Sequence, residues 1–450
     1  MKKVITYGSF DLFHEGHYNL LKRAKELGDY LIVGVTTERY DEIRGKLNII
    51  DSIEERMANV RKTGFADQVI IEDHLGQKVE DIQKYGVDVF TVGSDWEGKF
   101  DYLKDFCEVV YLPRTKLVSS TQIREKKFSI TRLGIVGTGR IAKRFMAETK
   151  FVSGVEACAV CNPHLESAKK FAQQFQLDFF SSDYDEFLKQ VDAVYIASPH
   201  QTHYDYAKRA LAAEKHVLCE KPLCFSAQEA EELFEIASCF DVVLLEGVKT
   251  AYSPGFIQMI SMARSGVIGA VRDVEAAFTR LIPPGTRETT DVEFGGSFSE
   301  YGSYALLPIV KLLGKEFSNV HFESMLSENG IDVYTKAFLK TKNAFACAKT
   351  GLGVKSEGQL IISGTQGYIL AHSPWWLTKE FEVRYENPDK IDRYVFPWVG
   401  YGLRYELSDF VHLIHGKGDR SFKLTAGESI AMAGVMEKFM AERKAGREAR

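Results

Sequence analysis

Two short stretches of this chain share one order of parts: a β-branched apolar run, a glycine-containing turn, and then residues with the apolar spacing of a helix. The first, Lys2–Leu27, reads KKVITYGSFDLFHEGHYNLLKRAKEL, and the second, Arg132–Glu148, opens RLGIVGTGRIAKRF. Each is the usual start of a parallel sheet, since a helix that crosses back over a sheet leads into another strand of the same direction. Two separate nucleotide-type sheets are therefore expected. The length of 450 residues allows this, being too great for one ordinary core. Between the two openings the charged segment Ile123–Arg132 reads as a short tether. The expected division is residues 1–128, 131–250 and 251–450.

In the first part VITYGSF, YLIVGVT, QVIIED, VDVFTVG and CEVVYLP read as strands, with helical patterns such as YNLLKRAKEL between them. That alternation predicts a doubly wound α/β sheet. From RLGIVGTG to DVVLLEGV the same alternation predicts a Rossmann-type dinucleotide-binding part. Long strand-like stretches such as VRDVEAAFTRL, DVYTKAFLKT and AFACAKTGL then dominate up to about Tyr385 and predict a large, mostly antiparallel sheet in an α+β part, closed by two helical patterns.

The hydrophobic fraction of 45% and charged fraction of 26% are those of a globular chain that folds throughout. A net charge of -5 gives no reason to expect binding to nucleic acid or an anionic membrane, which needs clustered cations. Gly8 and Asp11 interrupt the first apolar run too early for a signal peptide, and no run reaches spanning length. A cytoplasmic protein without membrane insertion is expected. The seven cysteines are scattered; Cys158 and Cys161 form the one close pair and read as buried thiols without a second pair to complete a metal site.

His14 and His17 fall where a strand ends and a helix begins. Free N–H groups and the positive end of the helix dipole make that place an anion site, and Gly16 permits close approach of a phosphate. Two imidazoles there can stabilise charge building on a reacting phosphorus. Helix capping is the plainer use of these histidines. The spacing does not fit the zinc-binding motif with histidines four apart on a helix.

The string YGSFDLFHEGH, together with VGSDWEGKFDYLKDFCEVVYLPRT and SSTQI, resembles the HxGH nucleotidylyltransferases, and within them the glycerol-3-phosphate cytidylyltransferases, from Met1 to about Lys126. The resemblance implies a site for CTP with Mg2+, in which His14, His17, Lys46 and Arg114 act on the phosphates. Gly8, Phe10, Asp11, Gly16, Asp95, Ser119 and Thr121 are implied around the nucleotide, and Arg56 near the phosphates or sugar. Three departures are Arg44 for a second loop lysine, Ser94 for an Asp and Leu117 for a Gly. The reaction needs no enzymic nucleophile, because a phosphate oxygen of the substrate attacks the α-phosphorus itself.

In the second opening, Gly137 and Gly139 follow a strand, and Ala142 takes the third small position of the dinucleotide fingerprint. The acidic residue that usually ends the next strand is replaced by Asn162, which leaves NAD and NADP both open and room for a 2′-phosphate. YIASPHQTH, HVLCEKPL and LLEGVKTAYSPGF resemble the glucose-fructose oxidoreductase and inositol dehydrogenase family from about Thr131 onward. That resemblance implies a cofactor cleft formed by Gly137, Gly139, Ile141, Asn162, Ser198, His200, His203, Glu220 and Pro222. It also implies Lys221 beside the nicotinamide and, from GGSFSEYGSY, Tyr304 as a proton-transfer partner with Glu300 in the family's Asp position. An ammonium nearby is expected to lower the phenol's pKa. Ala251 replaces an Arg found in many relatives.

The expected protein is thus a bifunctional enzyme. It would make a CDP-alditol from CTP and a polyol phosphate, and interconvert a carbonyl and an alcohol on a related sugar or polyol. The alternative keeps the transferase and makes the second half a dinucleotide-binding scaffold. A homodimer or higher oligomer is expected from an antiparallel sheet face in need of cover.

Overall fold

The computed structural model describes residues 1–113, 130–416 and 421–448. The first sheet contains β1 (Lys3–Gly8), β2 (Tyr30–Thr36), β3 (Gln68–Glu72), β4 (Val89–Gly93) and β5 (Glu108–Leu112). All are parallel, in the order β3-β2-β1-β4-β5. Val4, Ile5, Leu31, Val33 and Phe90 are buried because helices cover both faces, which is why these strands read as near-continuous apolar runs. Helix α1 (Glu15–Lys25) follows β1.

The second sheet holds β6 (Thr131–Val136), β7 (Val155–Cys161), β8 (Phe179–Ser181), β9 (Ala193–Ile196), β10 (His216–Glu220) and β11 (Leu244–Gly247). They are parallel in the order β11-β10-β9-β6-β7-β8. Helix α2 (Arg140–Thr149) joins β6 to β7. In each sheet the strand order reverses beside the first strand, between β1 and β4 and between β6 and β9. There the following helices depart to opposite faces and leave a crevice at the strand C-termini.

The third sheet runs β13-β14-β15-β12-β16-β17-β18-β19, with β12 (Val271–Thr279), β13 (Asn319–Leu326), β14 (Asp332–Lys340), β15 (Phe345–Gly351), β16 (Leu360–Gly364), β17 (Gly367–Ala371), β18 (Glu380–Tyr385) and β19 (Ile391–Val395). Only β12 and β15 pair in parallel, so the sheet is mostly antiparallel as expected. It extends one strand past Tyr385, because β19 alternates exposed and half-buried residues at the sheet edge and carries little apolar signal. Helix α3 (Ser297–Leu313) packs on β12 and β15. Helices α4 (Leu403–Ile414) and α5 (Ala426–Glu448) return to the second sheet's layer, α4 against α2. Among the described residues no helix is long and apolar enough to cross a membrane.

At the second crevice Gly137 has φ of 96°, and a Cβ there would stand 2.5 Å from the Ala197 carbonyl oxygen. The backbones on either side of the reversal meet at this residue. Gly137→Ala is expected to lower stability by about 2 kcal/mol or more through strain and displaced backbone, read as a fall in midpoint in denaturant unfolding.

Candidate active sites

His14 caps α1, its Nδ1 accepting from the Gly16 N–H at 3.1 Å. A Cβ at Gly16 would lie 2.8 Å from the imidazole, so the glycine makes room for the ring as well as for a ligand. One turn into the helix, the His17 ring lies tilted against that of His14, with centroids 3.9 Å apart. Burial and the neighbouring His14 and Lys46 hold its pKa well below the ordinary range. His17 is therefore a neutral imidazole, and among the described residues its buried Nδ1 has no partner. Phe10, itself buried, packs edge-on against it at 5.4 Å.

A cavity of about 890 Å³ opens before these rings, a size suited to a nucleotide. Gly8, Phe10, Asp11, His14, Gly16, His17, Lys46 and Asp95 all line it. Lys46 donates to Ser9 Oγ at 2.6 Å, and burial lowers its pKa. Asp11 is engaged by the loop, accepting from the N–H groups of Ile50 and Asp51 at 3.0 and 2.8 Å. Arg56 departs from the position implied for it: it is fully buried and donates to the Ser9, Thr36 and Asp51 carbonyls and to Glu38. It shapes the loops from beneath, and the cavity wall does not include it. Arg114, Ser119 and Thr121 lie outside the described residues.

Sequence reasoning passed over Lys78, paired with Glu72 and 4.6 Å from the centre of the Tyr7 ring, although all three line the cavity. It also passed over a wall from beyond the tether, where Lys150 sits 4.2 Å over the Trp96 ring and donates to the Asp95 carbonyl at 3.2 Å. No local motif announces either group, because the residues are far apart in sequence.

In the second crevice Gly139 precedes α2 without a side-chain cap, which leaves first-turn N–H groups for an anion. Ile141 is half-buried in that first turn. Asn162 is occupied locally, donating to Thr138 Oγ1 and accepting from the His164 N–H. Lys221, joined to Pro222 by a cis peptide, donates to the Glu300 carbonyl at 2.9 Å and stands 5.9 Å from the Tyr304 ring centre. The Glu300 carboxylate gathers three partners, Arg287 at 2.7 Å and Lys221 and His200 at 3.7 Å. Arg287 escaped sequence analysis because it lies on the short helix Arg287–Thr290 between sheets. Among the described residues its NH1, like Nδ1 of His200, is buried without a partner. The first-turn amides and these spare donors fit a dinucleotide with its phosphates and carboxamide.

Two expectations change. The Tyr304 phenol has its pKa pushed far up, by burial first and then by Glu220 and Glu406, while Lys221 is turned to Glu300. The phenol is therefore held in its protonated form. His203 is fully buried, with Nδ1 2.7 Å from the Pro222 carbonyl and Nε2 3.0 Å from that of Ser198. It ties together the loops that carry Ser198 and Lys221 and is not open to a ligand. Glu220 accepts from the Tyr195 hydroxyl at 2.5 Å.

The cytidylyltransferase-like family matches residues 5–126, and the oxidoreductase family with an NAD-binding Rossmann fold matches residues 131–247. Over 130 residues the chain is 51% identical to the glycerol-3-phosphate cytidylyltransferase of Bacillus spizizenii, which is 29% of this chain and 100% of that protein. The scyllo-inositol 2-dehydrogenase (NADP(+)) of Bacillus subtilis is 28% identical over 320 residues, 68% of this chain and 95% of that protein. A solved 3-ketoreductase from Actinomadura kijaniata, in complex with TDP-benzene and NADP in an open conformation, covers 68% of this chain and 96% of its own with a TM-score of 0.58. At 22% identity that likeness concerns the fold. The chain is therefore an enzyme that joins a cytidylyltransferase to an NAD(P)-dependent oxidoreductase. It belongs to the cytidylyltransferase-like family through its first part and carries behind it an oxidoreductase of the Gfo/Idh/MocA type.

Behind the second site, burial lifts the Glu246 carboxyl from 4.5 to about 7, while its Oε1 accepts from the Leu223 N–H. The folded protein holds this proton more tightly than the unfolded chain, so the stabilising effect is full below pH 4.5 and is lost as pH rises through 7. Stability should fall by roughly 2–3 kcal/mol more between pH 5 and pH 8 in the parent than in Glu246→Gln, measured by urea unfolding at both pH values.

Proposed function

We propose that the first part transfers the cytidylyl group of CTP, with Mg2+, to a glycerol-type polyol phosphate, and that the second part interconverts a carbonyl and an alcohol on a related sugar or polyol. NADP is the favoured coenzyme. The observation that carries the reading is the close His14–His17 pair at the start of α1, facing a nucleotide-sized cavity with Lys46 on its wall. The 51% identity to a glycerol-3-phosphate cytidylyltransferase over that protein's whole length supports the acceptor class.

In the transfer, a phosphate oxygen of the polyol phosphate attacks the α-phosphorus, the bond from that phosphorus to the β-phosphate oxygen breaks, and pyrophosphate leaves. The products are pyrophosphate and a CDP-alditol. His17, neutral and with an unpartnered nitrogen, donates to the oxygens on which charge grows. Lys46, whose ammonium form is disfavoured by burial, gains most when a phosphate comes beside it.

In the oxidoreductase part the bound nicotinamide supplies or accepts the hydride. Lys221 holds the substrate oxygen with an N–H, and Tyr304 keeps its proton until an alkoxide forms beside it. The absence of a carboxylate at Asn162 and the NADP(+)-dependent relative both support NADP. A shared polyol supports the fusion: reduction of the carbonyl of a sugar phosphate in one part yields an alditol phosphate of the kind that the other activates. Such a product suits assembly of a wall or capsule polymer.

With a keto- or aldo-sugar phosphate, NAD(P)H and CTP, the enzyme should form a CDP-alditol, detected by chromatography and pyrophosphate release. Lys221→Ala or Tyr304→Phe should stop the reduction yet still convert an added alditol phosphate, with Lys221→Ala the more severe. His17→Ala should lower cytidylyl transfer at least about a hundredfold, as for loss of one electrostatic donor, and leave NAD(P)H oxidation intact. Dinucleotide binding without oxidation of NAD(P)H on any such carbonyl compound would favour the scaffold alternative.

A further inference from the structure

The loop that carries Lys46 is bonded on both sides of that lysine to residues beyond the tether. On one side the Gly45 carbonyl accepts from NH1 of Arg404 at 2.7 Å. On the other, the Leu47 N–H donates to the Phe151 carbonyl at 2.7 Å and the Leu47 carbonyl accepts from the Ser153 N–H at 3.2 Å, so that Leu47 and Val152 form a one-residue parallel bridge. One residue further, Asn48 exchanges two hydrogen bonds with Ser408.

Arg404 is itself fixed. Its Nε and NH2 grip both oxygens of Glu148 at 2.9 and 2.8 Å, and its guanidinium lies 3.9 Å from the Phe151 ring centre. Both members of the pair are almost sealed, each side chain 3% exposed. The pair occupies space that two glycines leave free. A Cβ at Gly45 would stand 2.5 Å from Arg404 NH1, and one at Gly400 2.1 Å from Glu148 Oε1. Both glycines have positive φ, at 77° and 59°. A bidentate guanidinium–carboxylate pair has one rigid geometry, so the third N–H of Arg404 fixes where the Gly45 carbonyl, and with it Lys46, can be.

We propose that the oxidoreductase part is a component of the cytidylyl site: Arg404, oriented by Glu148, is a positioning residue that sets Lys46 for the triphosphate of CTP. This rests on the reading of the first site given above. Lys46 reaches Ser9 beside the His14–His17 pair, so a loop free to move would spread its ammonium over many positions and weaken phosphate capture, while the transfer step in bound CTP would keep its other donors.

The full-length enzyme with Arg404→Met and Glu148→Met together removes the pair without stranding a charge. Its CTP affinity, titrated by calorimetry, should fall at least about tenfold and its KM for CTP rise in step, with kcat at saturating CTP and KM for the alditol phosphate changed less than about twofold. In a Lys46→Ala background the same double change should have no further effect on CTP affinity, since the lost interaction would already be absent. Unchanged CTP affinity in the folded variant, or an equal loss with Lys46 absent, overturns the proposal. If the double variant does not fold by circular dichroism, Ser408→Ala replaces it, with a two- to threefold weakening expected by the loss of one loop contact and no change overturning the proposal. Failure of the parent to release pyrophosphate with any alditol phosphate would instead strike at the assigned reaction; the CTP titrations would still decide the role of Arg404.

Discussion

Both sites depend on the geometry of parallel strands. When all strands of a sheet run one way, their C-termini and the N-termini of the following helices lie along one edge, and unpaired N–H groups converge there. Where the strand order reverses, neighbouring helices part and the edge becomes a crevice. The first sheet places the His14–His17 pair and Asp95 on either side of such a reversal, and the second does the same with Gly137 and Ser198. The groups gathered at the two places differ, since one holds two imidazoles and an ammonium and the other an ammonium and a phenol. The electrostatic foundation is the same.

Much of this was legible in the sequence because it is encoded over short distances. β1, the turn and α1 occupy adjacent residues, so the placing of His14, Gly16 and His17 followed from local pattern, as did Gly137 and Gly139. The three sheets were legible from alternation, up to the edge strand Ile391–Val395, whose outer position gives it a weak apolar pattern. Groups that meet only in three dimensions stayed hidden. Lys78 over the Tyr7 ring and Lys150 on the Asp95 carbonyl join distant segments, Arg287 reaches Glu300 from a separate helix, and each looks like an ordinary surface cation in the sequence.

Burial accounts for the differences in role. Arg56 and His203 carry the residue types expected at a ligand, but their hydrogen bonds go to the chain's own backbone and, for Arg56, to Glu38. Their task is to hold other residues in place. For Tyr304, desolvation and nearby carboxylates outweigh a lysine whose charge is already engaged by Glu300, and the phenol's pKa rises where proximity alone would lower it. Charge pairing read from a motif lacks these surrounding terms.

The Arg404–Glu148 pair also bears on how such a chain can be inherited. The hollow that receives it is made half by Gly45 and half by Gly400, positions separated by most of the sequence. A first part taken from a free-standing relative would meet Arg404 without having been selected to leave it space at position 45, whereas Gly400 makes room for Glu148 within the second part itself. Exchange of the first part as a unit therefore keeps the pair intact, since Arg404 and Glu148 both lie in the second, and stands or falls on whether the incoming loop offers Arg404 the room that Gly45 leaves.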